Sequence, residues 1–283
     1  MSQVDMAGTA RKEFSPSRVH DYRFFIIAAL VFVVSAAVTV IWCASMSAME
    51  GMSMPGGWTM SMTWMRMPGQ SWFAAATAFL GMWVVMMVAM MLPPLMPMLR
   101  RYRQAVGGID NAHLDRLTAR VAVGYFAVWT LLGIVIFPLG VLLASLAMHL
   151  PELASKVPML AGAVVAIAGA MQFSPWKIHH LNCCRHSLDR GSSLRPDSGT
   201  AWRHGLHLGL RCCYCCAGHT AVLLMVGVMS LSAMIVVAAA ISAERLAPAG
   251  ERIARVIGAI AIGAGVFMML RSMNLITGDL ITG

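Results

Sequence analysis

The sequence predicts an all-α fold, a polytopic membrane protein built as a six-transmembrane-helix bundle with both termini cytoplasmic and no sheet. Hydrophobic residues make up 59% of the 283-residue chain and charged residues 12%, against roughly 25% charged residues in a soluble domain. Six apolar runs also approach or exceed the roughly 20 residues that cross a bilayer as a helix. The distribution of Lys and Arg sets the predicted orientation.

The predicted spans are separated by polar or basic segments. They cover residues 24–42, 72–92, 121–148, 159–173, 202–241 and 253–270. An alternative for the first run is a cleaved signal peptide, because the small residues Ala44 and Ala48 follow it. Pro93, Pro94 and Pro97 are expected to break the second helix. The fifth span is expected to be one helix.

The basic residues place both termini inside. With this orientation the cytoplasmic segments hold fifteen Lys and Arg and the external loops hold five, in agreement with the positive-inside rule. The predicted organisation is a cytoplasmic tail (1–23) and a transmembrane domain (24–283) with an external Met-rich loop (45–70) and a cytoplasmic His/Cys loop (174–204). The formal net charge of +9 is therefore interpreted as the basic cytoplasmic loops of a multi-pass membrane protein. Its partner is the lipid bilayer, and no nucleic acid is expected.

Cysteine and histidine concentrate in one part of the chain. Six of the seven cysteines and six of the nine histidines lie between residues 179 and 219. A disulfide framework is typical of a small secreted domain, so the crowding favours metal or redox chemistry. Four members share one helical face, within an arc of about 100°: Cys212, Cys215, Cys216 and His219. Cys213 points away from that face. Such ligands suit Cu(I) or Zn(II) better than an Fe–S cluster.

Methionines precede and enter the second span. Met46, Met49, Met52 and Met54 open a series that extends to Met67. Thioether is a soft, neutral ligand that selects Cu(I). The alternative is an interfacial loop in which Met is flexible apolar filler beside tryptophans. Within the span, Met82, Met86 and Met90 recur every fourth residue, either as core packing or as a path for a metal ion.

Short motifs between Trp72 and Leu270 carry a resemblance. They are Trp83-x-x-Met86-x-x-Ala89-Met90-Met91-Leu92-Pro93, Gln172-Phe173-Ser174-Pro175-Trp176-Lys177, Cys184-Arg185, Gly209-Leu210-x-Cys212-x-x-Cys215-Cys216, Gly227-Val228-Met229 with Met234, and Glu244-Arg245. In these motifs the chain resembles a bacterial family of metal-binding integral membrane proteins, long classed as a domain of unknown function, some of whose members are labelled copper chaperones. The chain departs from the pattern by having His180 in place of Cys and Ala217 in place of Trp, and by adding Cys213 and His219. The resemblance implies metal binding and no particular reaction.

The predicted function is Cu(I) capture, transfer or chaperoning at or across the inner membrane, with no catalytic residue and no enzymatic reaction. The predicted metal ligands are Cys212, Cys215, Cys216, His219, Cys213, Cys184, Cys183, His180, His179, His186, Met82, Met86, Met90, Met46, Met49, Met52 and Met54. Cu(I) is the predicted ion and Zn(II) the alternative. A copper donor or acceptor protein and a second copy of the chain are the expected protein partners.

Two other functions fit part of the pattern. Cys212-x-x-Cys215 and Cys213-x-x-Cys216 have the spacing of redox-active thiols, although no thioredoxin-like βαβ pattern surrounds them. A structural Zn(II) site could fasten the fourth loop to the fifth helix, although it leaves the outer methionines unexplained. An ATP-driven pump is not predicted, because the sequence has no P-loop pattern.

Overall fold

The computed structural model of the protein describes residues 16–47, 51–55, 57–66, 69–106, 108–185 and 195–282. In these ranges the chain forms eight α-helices and one hairpin of two strands. The helices are α1 Pro16–Ser47, α2 Trp72–Ala105, α3 Asn111–His149, α4 Pro151–Met171, α5 Pro175–Arg185, α6 Ser198–Val226, α7 Leu231–Leu246 and α8 Gly250–Thr282; the strands are β1 Met52–Met54 and β2 Trp58–Met60. Six helices (α1, α2, α3, α4, α6 and α8) have the length and composition to cross a membrane.

The helical class is confirmed, and the predicted absence of a sheet is wrong. Most of the tail predicted at 1–23, together with Met49, Met67 and His186, lies outside the described residues. The cytoplasmic loop predicted at 174–204 contains α5 and the start of α6. The single residue Leu150 joins α3 to α4. Pro151 occupies the first position of α4, where a proline is favourable because the backbone N–H of that position makes no hydrogen bond within the helix.

The Met-rich segment forms a hairpin because Pro55 and Gly57 provide a turn. Gly57 has φ 73°, a conformation that favours glycine. Met52 pairs with Met60 and Met54 with Trp58; these four side chains share one face because orientation alternates along a strand. The Trp58 indole N–H donates to the carbonyl of Ala154 at 2.9 Å, and Met60 is buried. The hairpin is therefore docked where α3 ends and α4 begins.

The proline cluster does not end the second helix. Pro93, Pro94 and Pro97 all lie inside α2, which continues to Ala105. Each proline removes one intrahelical hydrogen bond, but Leu95 and Leu99 are buried on either side of Pro97. Packing of that face against the bundle keeps the segment helical where the local preference opposes it.

The predicted fifth helix is wrong in a way that changes the topology. Helix α6 ends at Val226. The next residue, Gly227, has φ 124°, a value that other residues rarely adopt. Ser230 then caps a new helix by accepting a hydrogen bond from Ala233 N. This second helix, α7, turns back along α6 and brings Glu244 to Lys177 of α5. The glycine therefore converts one long span into a helical hairpin.

This reversal places the start of α8 beside α5. Asn182 of α5 donates to Glu251 near the start of α8, and α8 then runs antiparallel to α4. We call this end of the bundle the α5 end, and the opposite end, where β1 and β2 dock, the hairpin end. Arg103 of α2 lies over Phe24 of α1 and pairs with Asp115 of α3, so α1 also begins at the α5 end. The described chain thus begins at the α5 end and ends at the hairpin end of the bundle, an arrangement that differs from the expected one because the expectation assumed a single fifth helix. Which side of a membrane each terminus faces stays a prediction.

Glycines allow α4 and α8 to approach closely. A Cβ on Gly162 would lie 2.8 Å from the carbonyl oxygen of Gly265, and one on Gly169 would lie 2.7 Å from that of Gly258. Such contacts between small residues are typical of helices that pack in a membrane. They hold the end of α4 against α8, and Gln172, directly after α4, contacts His219 of α6.

Candidate metal centre

Four cysteines from two helices form a buried cluster, which we call the thiol cluster: Cys184 of α5 with Cys212, Cys215 and Cys216 of α6. Each is at most 2% exposed. The Sγ atoms of Cys212 and Cys216 are 3.9 Å apart, as expected for side chains one turn apart on a helix. Cys184 of α5 and Cys216 of α6 both lie 3.7 Å from the same nitrogen, Nη2 of Arg245. The cluster therefore joins α5 to α6.

Arg245 and Tyr125 contact the sulfurs of this cluster. Arg245 of α7 points one guanidinium nitrogen, Nη2, at the sulfurs of Cys184 and Cys216, 3.7 Å from each. The Tyr125 hydroxyl of α3 lies 2.8 Å from the sulfur of Cys212. A positive group and a hydroxyl beside sulfur favour thiolate over thiol. Two helices, α3 and α7, thus supply groups that stabilise negative charge on the sulfurs.

A buried ion pair lies next to the thiol cluster. Lys177 Nζ of α5 is 2.9 Å from Glu244 Oε2 of α7 and donates to the carbonyl of Cys215 at 2.7 Å. Burial alone would lower the pKa of Lys177, but the neighbouring Cys215 and Glu244 raise it above its ordinary value. Lys177 is therefore a permanent cation, and its charge is balanced by Glu244.

His219 is separated from the sulfurs by its own polar contacts. Its Nε2 lies 3.2 Å from Glu244 Oε1 and 3.2 Å from Gln172 Nε2. The predicted face of α6 is present, since His219 is buried with the three cysteines while Cys213 is half-buried. Whether His219 and Cys213 bind metal stays a prediction, and the contacts of His219 connect it to the ion pair instead of the thiols.

The other predicted ligands of α5 face outward. His179 Nε2 is 3.6 Å from the sulfur of Cys183, on the solvent side of the helix. His180 is engaged with Trp176: its Nδ1 lies 2.8 Å from the Trp176 carbonyl, and the two rings are 4.4 Å apart. Helix α5 therefore places Cys184 inside and its sequence neighbour Cys183 outside.

The predicted methionine ligands occupy two places. Met82, Met86 and Met90 are buried in the core along α2. Met52 is exposed and Met54 half-buried on the hairpin, and Met46 is half-buried on α1. The structure thus separates the outer methionines, at the hairpin end, from the thiol cluster.

In the parts of the chain that the structure describes, no three His, Cys, Asp or Glu side chains already converge on a common point with the geometry of a metal site. The sulfurs make pairwise contacts instead. Four thiols are a donor set that both Cu(I) and Zn(II) accept.

Spacing of cysteines alone did not reveal the charged groups around the thiols. Gln172, Lys177, Glu244 and Arg245 entered the sequence argument only as parts of the motifs, and Tyr125 did not enter it. A signal for three of them was present, since Lys, Glu and Arg beside apolar runs are expected to be paired and functional. Their partners could not be read because they depend on the reversal of α7.

One comparison with known proteins identifies a family for this chain. A family model described as PpoB2: Copper chaperone matches residues 80–268, a region that includes α5, α6, α7 and every residue of the thiol cluster. No curated protein and no solved structure matches the chain. Since the family model covers more than half of its length, the chain belongs to the PpoB2 copper chaperone family.

Proposed function

We propose that the protein is a membrane-embedded Cu(I) chaperone that holds one ion in the thiol cluster and passes it on by ligand exchange. The observation that carries this proposal is the burial of four free cysteines from α5 and α6 beside Arg245. Soft thiolates select Cu(I). Neighbouring sulfurs of Cys212, Cys215 and Cys216 on one helix face allow an ion to change partners without leaving sulfur. In this function Cu(I) is the ion that the protein carries and releases, not a permanently bound cofactor.

The orientation follows from the corrected topology and the basic residues. Because α7 reverses, Arg245, Arg252 and Arg255 lie at the α5 end, together with the arginines in the last turns of α2 and the first turns of α3. The hairpin end keeps Arg66, Lys156 and Arg271. Basic residues are in excess on the cytoplasmic side of membrane proteins. We therefore place the α5 end and the thiol cluster on the cytoplasmic side of the bacterial inner membrane, with the hairpin outside.

A competition titration tests the binding function. Purified protein in detergent, kept reduced, is titrated with Cu(I) against a chromogenic Cu(I) chelator, and bound copper is measured by elemental analysis. One tightly bound Cu(I) per chain is expected, with little retained Zn(II). Stoichiometric Zn(II) that resists displacement by Cu(I) would support the structural zinc alternative. Thiols that react only after reduction would support the redox alternative.

The hairpin methionines are proposed to deliver Cu(I) from outside. Met52→Leu with Met54→Leu removes two thioethers and retains most of the apolar volume, a change that packing usually tolerates for under about 1.5 kcal/mol. We expect slower copper accumulation in cells at limiting external copper and unchanged occupancy at high copper, because capture limits the rate and the thiols set the endpoint. The matched control is Met60→Leu, since Met60 belongs to the same hairpin but its side chain is buried. Wild-type accumulation by the double variant at every copper concentration would contradict capture.

A further inference from the structure

Arg245 is a buried cation without a carboxylate partner in the described part of the chain. Its side chain is 7% exposed. Nη2 contacts the sulfurs of Cys184 and Cys216, while Nε and Nη1 have no hydrogen-bond partner. Guanidinium stays protonated in proteins, and burying an unbalanced charge is costly. The charge that balances Arg245 must therefore come from the sulfurs beside it.

The other charged groups near the thiol cluster are already balanced. Lys177 and Glu244 neutralise each other, and His219 adjoins the same carboxylate. Arg211 is next to Cys212 in sequence, but its side chain is exposed on the outside of α6 while Cys212 is buried. The thiol cluster therefore lies beside one positive charge, that of Arg245, which no other described group balances. A metal–thiolate complex with one net negative charge would balance it.

We infer that Arg245 determines the charge of the ion that the thiol cluster accepts, and that it favours monovalent soft ions. Two thiolates around Cu(I) or Ag(I) carry one net negative charge, which Arg245 neutralises. The same two thiolates around Hg(II) are neutral and leave Arg245 unbalanced. Both complexes use opposed sulfur ligands, so the difference between them is charge. This inference rests on the proposed function, since it concerns the same site.

The test compares Ag(I) with Hg(II) on the purified full-length protein in detergent. Each ion is offered in a buffer of small-molecule thiol, and the ratio of the two apparent affinities is measured by elemental analysis. Arg245→Gln keeps N–H donors and removes the charge, and Arg245→Lys keeps the charge. The control Arg211→Gln removes an exposed charge one residue from the cluster. We expect Arg245→Gln to shift the ratio toward Hg(II) by about tenfold or more, while Arg245→Lys and Arg211→Gln stay within about threefold of wild type.

The outcomes separate the inference from the proposed function. Equal Ag(I)-to-Hg(II) ratios in wild type, Arg245→Gln and Arg245→Lys would overturn the role of Arg245 while leaving copper binding intact. A wild-type protein that binds neither ion would overturn the proposed function itself. If Arg245→Gln does not fold, the comparison passes to Arg245→Lys and wild type in high salt and low salt. If the charge that balances the bound complex is buried, the Ag(I)-to-Hg(II) ratio should be the same in high salt and in low salt. A change of this ratio with salt that is as large as the change caused by Arg211→Gln would also overturn the inference.

Discussion

Protein that carries both Cys184→Ser and Cys216→Ser is expected to lose stoichiometric Cu(I). These two thiols come from different helices, and both lie 3.7 Å from Arg245, so their loss removes the pair whose charge Arg245 balances. Serine keeps the size and removes the soft ligand. The apparent Cu(I) affinity should fall by more than about a hundredfold, since losing a group that only supports a ligand already costs 10–100-fold. Competition against a Cu(I) chelator measures this change.

Cys213→Ser is the matched control for that double variant. Cys213 belongs to the same run of α6 but is half-buried and outside the thiol cluster. Its replacement should leave Cu(I) affinity within about threefold of wild type, because it removes a sulfur without altering the contacts of Arg245. Equal losses from Cys213→Ser and from the double variant would mean that α6 presents a different face, and the proposed site would be abandoned.

The helical pattern predicted the buried face of α6 because burial follows helical periodicity. The same reasoning separated Cys213 from its neighbours, and the structure agrees. The motifs quoted for the resemblance also contribute residues to one region of the structure. Gln172 contacts His219, which contacts Glu244; Lys177 contacts Glu244 and Cys215; and Arg245 contacts Cys184 and Cys216. Local periodicity carries this information because each helix is long compared with its period.

The topology could not be predicted in the same way. An apolar run of forty residues looks the same whether it crosses once or turns back, and only the conformation of Gly227 decides between them. The same limit applies to α2, where Pro97 indicates a break but tertiary packing keeps the helix. The split of α5 into an inner Cys184 and an outer Cys183 also depends on how α5 lies against α6. Contacts between distant segments supply these facts, and a single sequence does not encode them locally.

Glu244→Ala is expected to destabilise the protein strongly. The carboxylate of Glu244 is 2% exposed and pairs with Lys177, which is itself buried. Removing it leaves Lys177 with its bond to the Cys215 carbonyl but with an unbalanced charge in the interior. Breaking a buried ion pair in this way costs about 3–5 kcal/mol. Chemical unfolding in detergent, followed by circular dichroism, should show a lower midpoint than in wild type.

Two further variants decide whether the charge or the shape of Glu244 matters. Lys177→Met combined with Glu244→Met removes both charges and keeps similar volume, and replacement of a buried ion pair by apolar residues is often neutral or stabilising. The double variant should therefore unfold at a higher denaturant concentration than Glu244→Ala. Glu251→Ala is the control, because Glu251 contacts Asn182 at the exposed edge of the bundle and should stay within about 0.5 kcal/mol of wild type. If Glu244→Ala and Glu251→Ala unfold at the same denaturant concentration, the ion pair contributes little to stability. Helix α7 must then be held against α5 and α6 by its apolar face alone.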